Sequence, residues 1–323
     1  MSDKLNVSIA INEAYIPYAY VMLTSLFENN KDRDVRVYIM YGNIQDESLL
    51  VFEELENKYH QEIVCLQVSS DIFPDYLPRT ENWTLEVYYR LLLQDLLPKD
   101  VHRILQLDVD IIIDGSLSNL YDRDFNNKSL IACPDISVQE VGLIDKQHIL
   151  FSDIINDENF LYFNAGVMLL NIDKLRNNIS FNDFLMVAKE NEGNLFAQDQ
   201  DLLNLIFHGD VIYEDPYKYN AFAKILYNKD MGYDYLKKNV NIVHFAGRKP
   251  WTPDSCRYNS EKLWWEYAKL TPYYTDLIEQ TFIGEMNEGY ADANIRRLSK
   301  EKDELFTLLN KLKSLLPQIS SNN

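Results

Sequence analysis

Short apolar runs alternate with longer amphipathic segments in the first third of the chain, and this alternation is the strongest constraint on its fold. The short runs are rich in β-branched and aromatic residues, as buried strands are, whereas the longer segments space apolar residues as a helix does. Strands separated by helices favour βαβ units. The predicted strands cover residues 7–11, 35–41, 62–68 and 103–107, and the predicted helices cover residues 18–30, 46–59 and 85–97, the second of them with Asp46 as its N-cap. We therefore predict an α/β fold with a Rossmann-like, mainly parallel sheet flanked by helices.

The same patterns continue to about residue 275, where the character of the chain changes. Further strands are predicted at residues 111–113, 166–171, 211–213 and 241–245, and further helices at residues 181–191, 199–208 and 263–270, the first of these introduced by Ser180 with Asp183 as its capping-box partner. Beyond residue 275 charges become dense, and leucines recur every seven residues in two series, Leu298, Leu305 and Leu312, and Leu308 and Leu315. This stripe predicts an amphipathic helix packed on the body, with self-association or membrane-surface contact as alternatives. We predict one domain over residues 1–275 and a C-terminal helical extension over residues 276–323.

Charge and cysteine usage exclude some classes of function. Among the 323 residues, 31 Lys and Arg face 50 Asp and Glu, a net charge of −19 that disfavours binding to nucleic acid. Three widely spaced cysteines, Cys65, Cys133 and Cys256, fit neither a disulfide framework nor a zinc module, so we expect buried thiols in a reducing compartment. No leader pattern and no apolar run of about 20 residues is visible, so we expect a cytoplasmic protein.

The strongest local motif is Asp108-Val109-Asp110, directly after a predicted buried strand. Alternate residues of a regular strand point to opposite faces, so both carboxylates approach one ion only if the chain bends here. Two oxygen ligands at the carboxyl edge of a parallel sheet suit Mg²⁺ or Mn²⁺ holding a diphosphate. The alternative is that two acidic residues end a strand in solvent, because three-residue motifs arise easily by chance.

The Asp108-Val109-Asp110 motif is part of a longer pattern of four sequence segments that follow one another along the chain. They are the segment with Arg90 followed by Asp108-Val109-Asp110, then Asn164-Ala165-Gly166-Val167-Met168-Leu169-Leu170-Asn171, then Gln198-Asp199-Gln200-Asp201-Leu202-Leu203-Asn204, and then His244-Phe245-Ala246-Gly247-Arg248-Lys249-Pro250-Trp251. Together they resemble the retaining glycosyltransferases of family 8, over about residues 5–275. The resemblance implies a fold of GT-A type and transfer of galactose or glucose from a UDP-sugar to a glycan, lipid-linked or protein-linked sugar.

The resemblance also implies a metal site. Asp108 and Asp110 would bind Mn²⁺, with His244 supplying a nitrogen ligand. Mixed carboxylate and imidazole ligation suits Mn²⁺ better than Mg²⁺, which stays the alternative. A lone histidine after an apolar strand is otherwise more often a packing or surface residue, but the glycine and lysine that follow it favour a ligand role, since Gly247 permits close backbone approach and Lys249 can pair with phosphate.

The donor and the reaction are assigned on the same resemblance. Ala10, Asn12 and Tyr15 would hold the uracil and ribose, although the family usually has Asp at the position of Asn12. The remaining donor contacts implied are Arg90, Val109, Asn164, Gly247 and Lys249, and the implied catalytic residues are Asp199 and Gln200. A glutamine is a poor nucleophile, so we favour attack by the acceptor hydroxyl on the face from which UDP leaves.

Other classes of function stay open. A sugar nucleotidyltransferase would normally have a Gly-rich loop after the first strand, but residues 10–30 contain no glycine. A non-catalytic protein that binds UDP-sugars or glycans on the same fold is the second alternative, and a P-loop NTPase is excluded because its motif is missing. Residues 135–160 and 214–240, predicted as loop-rich, would cover the acceptor, whose identity the sequence does not give. The acidic surface favours a neutral glycan or a protein-linked sugar over a phosphate-rich polymer.

Overall fold

The computed structural model describes residues 4–80, 84–142, 147, 150–158, 160–252 and 258–319. A seven-stranded sheet in the order β3-β2-β1-β4-β7-β6-β8 forms its centre. The strands are β1 (Leu5–Ile11), β2 (Val35–Tyr41), β3 (Glu62–Gln67), β4 (Arg103–Leu107), β5 (Ile111–Ile113), β6 (Leu130–Pro134), β7 (Phe163–Asn171), β8 (Val211–Tyr213), β9 (Ala221–Phe222) and β10 (Ile242–His244). The predicted α/β fold with a mainly parallel sheet is confirmed.

Strand direction explains where the acidic motif lies. β1, β2, β3 and β4 are mutually parallel, whereas β7 runs antiparallel to both of its neighbours, β4 and β6. Val7 pairs with Leu105 and Ser8 with Gln106, so Ala10 is level with Asp108 when this register is extended by two residues. The carboxyl ends of β1 and β4 therefore open at one edge, where ligands bind in sheets of this type.

A second, three-stranded sheet in the order β5-β10-β9 carries the chain away from that edge. β10 pairs antiparallel with β5, placing His244 opposite Ile111, and parallel with β9, placing His244 opposite Phe222. The predicted strand at 111–113 is confirmed, but it does not continue β4, because the chain bends at residues 109 and 110. This bend is the one that the Asp108-Val109-Asp110 motif requires.

Helices connect the strands, and several of them flank the central sheet. They are α1 (Ile16–Asn29), α2 (Asp46–Tyr59), α3 (Leu93–Leu96), α4 (Ser118–Tyr121), α5 (Ile136–Val141), α6 (Ile172–Asn178), α7 (Phe181–Glu190), α8 (Gln198–Ile206), α9 (Pro216–Tyr219), α10 (Ala223–Asn228), α11 (Tyr233–Asn239), α12 (Lys262–Ala268), α13 (Tyr274–Glu288) and α14 (Tyr290–Ile319), with 3-10 turns at Glu13–Tyr15, Ser70–Ile72, Leu85–Leu92 and Asn259–Glu261. The predicted capping of α7 is confirmed, since Ser180 and Asp183 form a reciprocal capping box.

Three predictions about local structure need correction. The segment predicted as one helix over 85–97 is helical, but it is a 3-10 helix over Leu85–Leu92 and an α-helix only over Leu93–Leu96. Asp46 is the first residue of α2 rather than its cap, which is Gln45. The segment 214–240, predicted as loop-rich, contains the three short helices α9, α10 and α11, in which Pro216 and Gly232 start two of the turns.

The expected packing of the C-terminal helix on the body is also wrong for the side chains that the structure describes. Leu298, Leu305 and Leu308 of α14 are 57%, 65% and 53% exposed. Leu312 and Leu315 lie where side chains are outside the described part of the chain. None of the helices in the described part of the chain is long and apolar enough to cross a bilayer. The division at residue 275 stays a prediction, although α13 begins beside it at Tyr274.

The cysteines differ in environment. Cys133 lies buried in β6, where burial raises the pKa of its thiol well above the ordinary value. Cys65 is exposed on β3, because β3 is the edge strand of the sheet, so the expectation of a buried thiol is wrong there. Cys256 lies outside the described residues.

Candidate active site

The two aspartates of the motif face one cleft from either side of the bend. The backbone N–H of Asp108 donates to Gly166 O at 2.8 Å, which ties the end of β4 to β7. Val109 turns into the hydrophobic core and is 5% exposed, so its buried side chain holds the bend. Asp110 is mostly buried, and its backbone O accepts from the N–H of Phe245 at 2.9 Å. The bend therefore aims both carboxylates at the same space.

His244 completes an acidic and imidazole cluster. Its Nε2 lies 3.3 Å from Asp110 Oδ1, and the ligand atoms of Asp108, Asp110 and His244 all lie within 4.8 Å of one another. Three protein ligands that leave other positions open suit a divalent cation that also binds substrate oxygens. The structure thus brings together the three predicted metal ligands, of which one comes from a distant part of the chain.

Lys249 contacts this cluster. Its Nζ donates to Asp110 Oδ2 and, at 3.3 Å, to the backbone O of Phe245. Burial alone would raise the pKa of Asp110, but Lys249 and His244 hold that pKa well below its usual range. Gly247, between His244 and Lys249, has φ +86°, a conformation that favours glycine and turns the chain back toward Asp110. The ammonium group therefore shares the carboxylate that the cation would use.

A buried arginine separates Asp108 from Asp199. Arg90 Nη2 donates to Asp108 Oδ1 at 2.6 Å, and its Nε lies 3.2 Å from Asp199 Oδ2. That second contact is not aligned as a hydrogen bond, so Asp199 Oδ2 is buried without a hydrogen-bond partner. Burial raises the pKa of Asp199 to about 7; Arg90 opposes this shift and Asp108 adds to it. Asp199 is thus an acceptor with spare capacity for a substrate hydroxyl.

Amide groups line the neighbouring wall of the cleft. Asn164 Nδ2 donates to Gln200 Oε1 at 2.9 Å and to Asp135 Oδ2 at 3.2 Å. Gln200 Oε1 also accepts from the N–H of Ala165 at 3.0 Å, and its Nε2 donates to Asp135 Oδ2 at 3.2 Å. With so many internal bonds, the oxygen of Gln200 is held in place and is poorly placed to act as a nucleophile.

The residues predicted for the base and ribose lie at the carboxyl end of β1. Asn12 caps the 3-10 turn Glu13–Tyr15, and its Oδ1 is buried with no hydrogen-bond partner. Tyr15 is half-buried, and burial raises the pKa of its hydroxyl. The nearby charge of Lys249 lowers this pKa, and that of Asp110 raises it. Tyr15 packs edge-on against Tyr18, which stacks on Trp251 at 4.1 Å. Tyr15 therefore borders both the core and the cleft, and the orphaned amide oxygen fits a ligand N–H.

Two residues of this site were missed from the sequence. Asp135 follows the buried strand β6 just as Asp108 follows β4, so the same pattern could have indicated it. Asn220, whose side chain lies 2.8 Å from His244 Nδ1, follows no such pattern: it stands in a short stretch before β9, and the pairing of β9 with β10 brings it to the site.

Comparison with known proteins gives a consistent set of relatives. Residues 6–255 match the model of the family described as Glycosyl transferase family 8. A lipopolysaccharide 1,2-glucosyltransferase of Escherichia coli is 27% identical over 282 residues, covering 84% of this chain and 80% of that protein. A lipopolysaccharide 1,3-galactosyltransferase of Salmonella typhimurium is 26% identical over 256 residues, covering 77% of this chain and 74% of that one.

Solved structures show the same fold. The galactosyltransferase LgtC, solved with donor and acceptor sugar analogs, superposes with a TM-score of 0.71 at 22% sequence identity. The superposition covers 83% of this chain and 96% of that chain. The central sheet with its flanking helices is thus of GT-A type, as predicted.

Proposed function

The chain belongs to glycosyltransferase family 8, and from this membership we propose that it transfers galactose or glucose from a UDP-sugar to a hydroxyl of a glycan, with retention at the anomeric carbon. The observation that carries the proposal is a cleft with two chemically different walls. One wall has Asp108, Asp110, His244 and the nearby ammonium of Lys249, which suit a cation and a diphosphate. The other has Asn164, Gln200 and Asp199, which suit the hydroxyl groups of a sugar.

The metal wall fits Mn²⁺, with Mg²⁺ as the alternative. Asp108, Asp110 and His244 would hold the ion, which supplies positive charge to the departing diphosphate. Lys249 adds a second positive charge at the same place, where it can pair with a phosphate oxygen. Asn12 would accept the N–H of the uracil edge through its orphaned oxygen, while Tyr15 would stack on the base.

The reaction exchanges one anomeric bond for another. The bond between the anomeric carbon and the diphosphate oxygen breaks, and its electron pair leaves with UDP. An acceptor hydroxyl oxygen then bonds to the same carbon, and its proton passes to the departing diphosphate oxygen. Because the oxygen of Gln200 is engaged by Asn164 and Ala165, we propose front-face attack without a covalent enzyme intermediate. Asp199, whose Oδ2 has an ion-pair contact with Arg90 but no hydrogen-bond partner, would hold a donor hydroxyl in place.

Binding of nucleotides tests the donor site first. We expect UDP with Mn²⁺ to raise the melting temperature by several degrees, since a ligand at about 100 times its Kd adds roughly 2.7 kcal/mol. EDTA and the Asp108→Asn variant should both abolish this shift, and GDP and CMP should give none. UDP-galactose and UDP-glucose are then compared by release of UDP. A folded protein with no shift for any nucleotide would refute the donor assignment.

Two outcomes would favour the alternatives. UDP binding without turnover of either UDP-sugar, with or without added glycans, would indicate a non-catalytic binding protein. Release of pyrophosphate from UTP and a sugar 1-phosphate would indicate a sugar nucleotidyltransferase, the less favoured class because residues 10–30 contain no glycine.

The relatives and the exposed surface of α14 bear on the acceptor and on where the protein acts. The relatives named as lipopolysaccharide glycosyltransferases favour a lipid-linked glycan as acceptor. The exposed Leu298, Leu305 and Leu308 of α14 form an apolar stripe that a membrane surface or a second copy of the chain would cover. Flotation with anionic vesicles, compared with sedimentation of the free protein, separates the two. The cytoplasmic location stays a prediction.

A further inference from the structure

We propose that Asn220 is a positioning residue that fixes the tautomer of His244, so that Nε2 is the nitrogen presented to the cation. The inference rests on the proposed function, because it assumes that the Asp108, Asp110 and His244 cluster binds a metal ion. It assigns a role to a side chain that was not predicted from the sequence, and it links the metal wall of the cleft to the amide wall.

The orientation of the amide side chains can be deduced from a backbone N–H group, because such a group can only donate a hydrogen bond. The N–H of Gly166 donates to Asn164 Oδ1 at 3.0 Å, so the acceptor end of the Asn164 amide faces that direction. Asn164 Nδ2 then faces Gln200 Oε1, which is itself fixed as an acceptor by the N–H of Ala165. Two backbone N–H groups therefore orient both amides, whereas amides without such contacts are often assigned only from their neighbours.

The orientation of the Asn164 amide determines that of the Asn220 amide. Its side chain lies 2.9 Å from Asn164 Oδ1, and because that atom is an acceptor, Asn220 must present Nδ2 to it. Asn220 Oδ1 is then the atom that lies 2.8 Å from His244 Nδ1. Oxygen Oδ1 can only accept, so His244 Nδ1 must carry a proton, and the lone pair that binds a metal is on Nε2. The nitrogen Nε2 is the one that lies 3.3 Å from Asp110 Oδ1.

Burial makes this contact difficult to replace. Asn220 is 0% exposed and His244 is 3% exposed, so bulk water cannot substitute for the amide oxygen. Phe222 packs edge-on against the imidazole at 5.1 Å and restricts rotation of the ring. Partners that donate to or accept from the outer nitrogen of a metal-binding histidine commonly change metal affinity 10- to 100-fold when they are removed.

Two variants separate positioning from general stability. Asn220→Leu has a similar volume but no polar atoms, so it loses the bonds to both His244 and Asn164. Asn220→Asp keeps an oxygen toward His244 and loses the donor toward Asn164. Asn30→Leu is the matched control, because Asn30 is also 0% exposed and its side chain bonds to Leu26 O and to the N–H of Leu117, away from the cluster of predicted ligands. All three are expected to lower the melting temperature of the EDTA-treated protein.

Binding of Mn²⁺ by isothermal titration calorimetry is the deciding measurement. We expect a loss of roughly 10- to 100-fold for Asn220→Leu, a loss of less than about fivefold for Asn220→Asp, and no change for Asn30→Leu. Wild-type affinity in Asn220→Leu, or equal losses in both Asn220 variants, would overturn the inference and leave the metal site intact. A wild-type protein that binds no Mn²⁺ would instead count against the proposed function.

The tautomer itself is observable without metal. In EDTA-treated protein with ¹⁵N-labelled histidine, at about pH 8, we expect the His244 proton on Nδ1, with His244→Gln identifying its signals. A proton on Nε2 alone would overturn the inference whatever the metal affinity.

Discussion

Replacement of Gly166 by alanine tests how tightly the two walls of the cleft meet. A Cβ at this position would lie 2.6 Å from His244 Cε1, 2.8 Å from Asn164 Oδ1 and 2.9 Å from Asp108 Oδ2. Carbon–carbon contacts in proteins are normally about 3.5–4.0 Å, so these groups must move by roughly 0.5–1 Å. All three belong to the predicted site, and no movement of one of them relieves the overlap with the other two.

The expected effect on function exceeds the effect on stability. A misplacement of about 1 Å costs on the order of 100-fold in rate, whereas overpacking costs about 1–3 kcal/mol of unfolding free energy. We therefore expect Gly166→Ala to stay folded, to melt several degrees lower, and to lose about 100-fold in UDP-hexose turnover. Circular dichroism, urea unfolding and a UDP-release assay measure these three quantities.

Gly115→Ala is the matched control. Its Cβ would lie 2.9 Å from Asn241 Nδ2 and 3.0 Å from Asn241 Cγ, an overlap of the same kind at a position that contacts none of the predicted ligands. We expect a comparable loss of stability with turnover within about twofold of wild type. If Gly166→Ala kept wild-type turnover, or lost no more than Gly115→Ala, the steric reasoning would be refuted.

Three further changes have expected outcomes of different sign. Lys249→Met removes the ammonium that pairs with Asp110. Calorimetry should then show tighter Mn²⁺ binding in the nucleotide-free protein, but UDP binding weaker by at least about tenfold. If the affinities for Mn²⁺ and for UDP both rose or both fell, the role given to Lys249 would be contradicted. The folded-state pKa of Asp199, about 7, lies above the unfolded value near 4, so its contribution to stability is present below pH 4 and is lost as pH rises to about 7. Asp199→Asn should remove this fall in unfolding free energy with pH, measured by urea unfolding between pH 4 and about 7. An unchanged pH dependence would refute the raised pKa of Asp199. Deletion of residues 290–323 should leave the melting temperature within about 2 °C, since the described leucines of α14 are exposed; a larger fall would indicate a packed helix.

Strands with strong β-branched or alternating patterns could be predicted well from the sequence. β2 has the predicted bounds, Val35–Tyr41, because its apolar residues, interrupted only by Arg36, are bounded by Asp34 and Gly42. The direction of β7 could not be predicted, because an apolar run carries no information about whether its neighbour is parallel. β6 was missed although it is wholly buried, since its five residues end in Pro134, which reads as a breaker.

Some residues of the site could likewise be predicted from the sequence, and others could not. Asp108 and Asp110 could be found because a pair of acids after a buried strand is visible in a local window. Asn220 could not, because its importance depends on contacts with Asn164 and His244, which are 56 and 24 residues away in the chain. The exposure of α14 was mispredicted. An amphipathic stripe predicts that the apolar face of a helix is covered, but it does not identify the surface that covers it.

The pairing of β5 with β10 has a consequence for the order in which the site is synthesised. Ile112 and Val243 pair across this small sheet although they are about 130 residues apart in the chain. At typical translation rates, His244 leaves the ribosome on the order of ten seconds after Asp110. During that interval the nascent chain carries both carboxylates without the imidazole and without Lys249. A chain that stops before β10 therefore retains the acidic motif but not the predicted cation site, so ion binding would report that translation had passed residue 244.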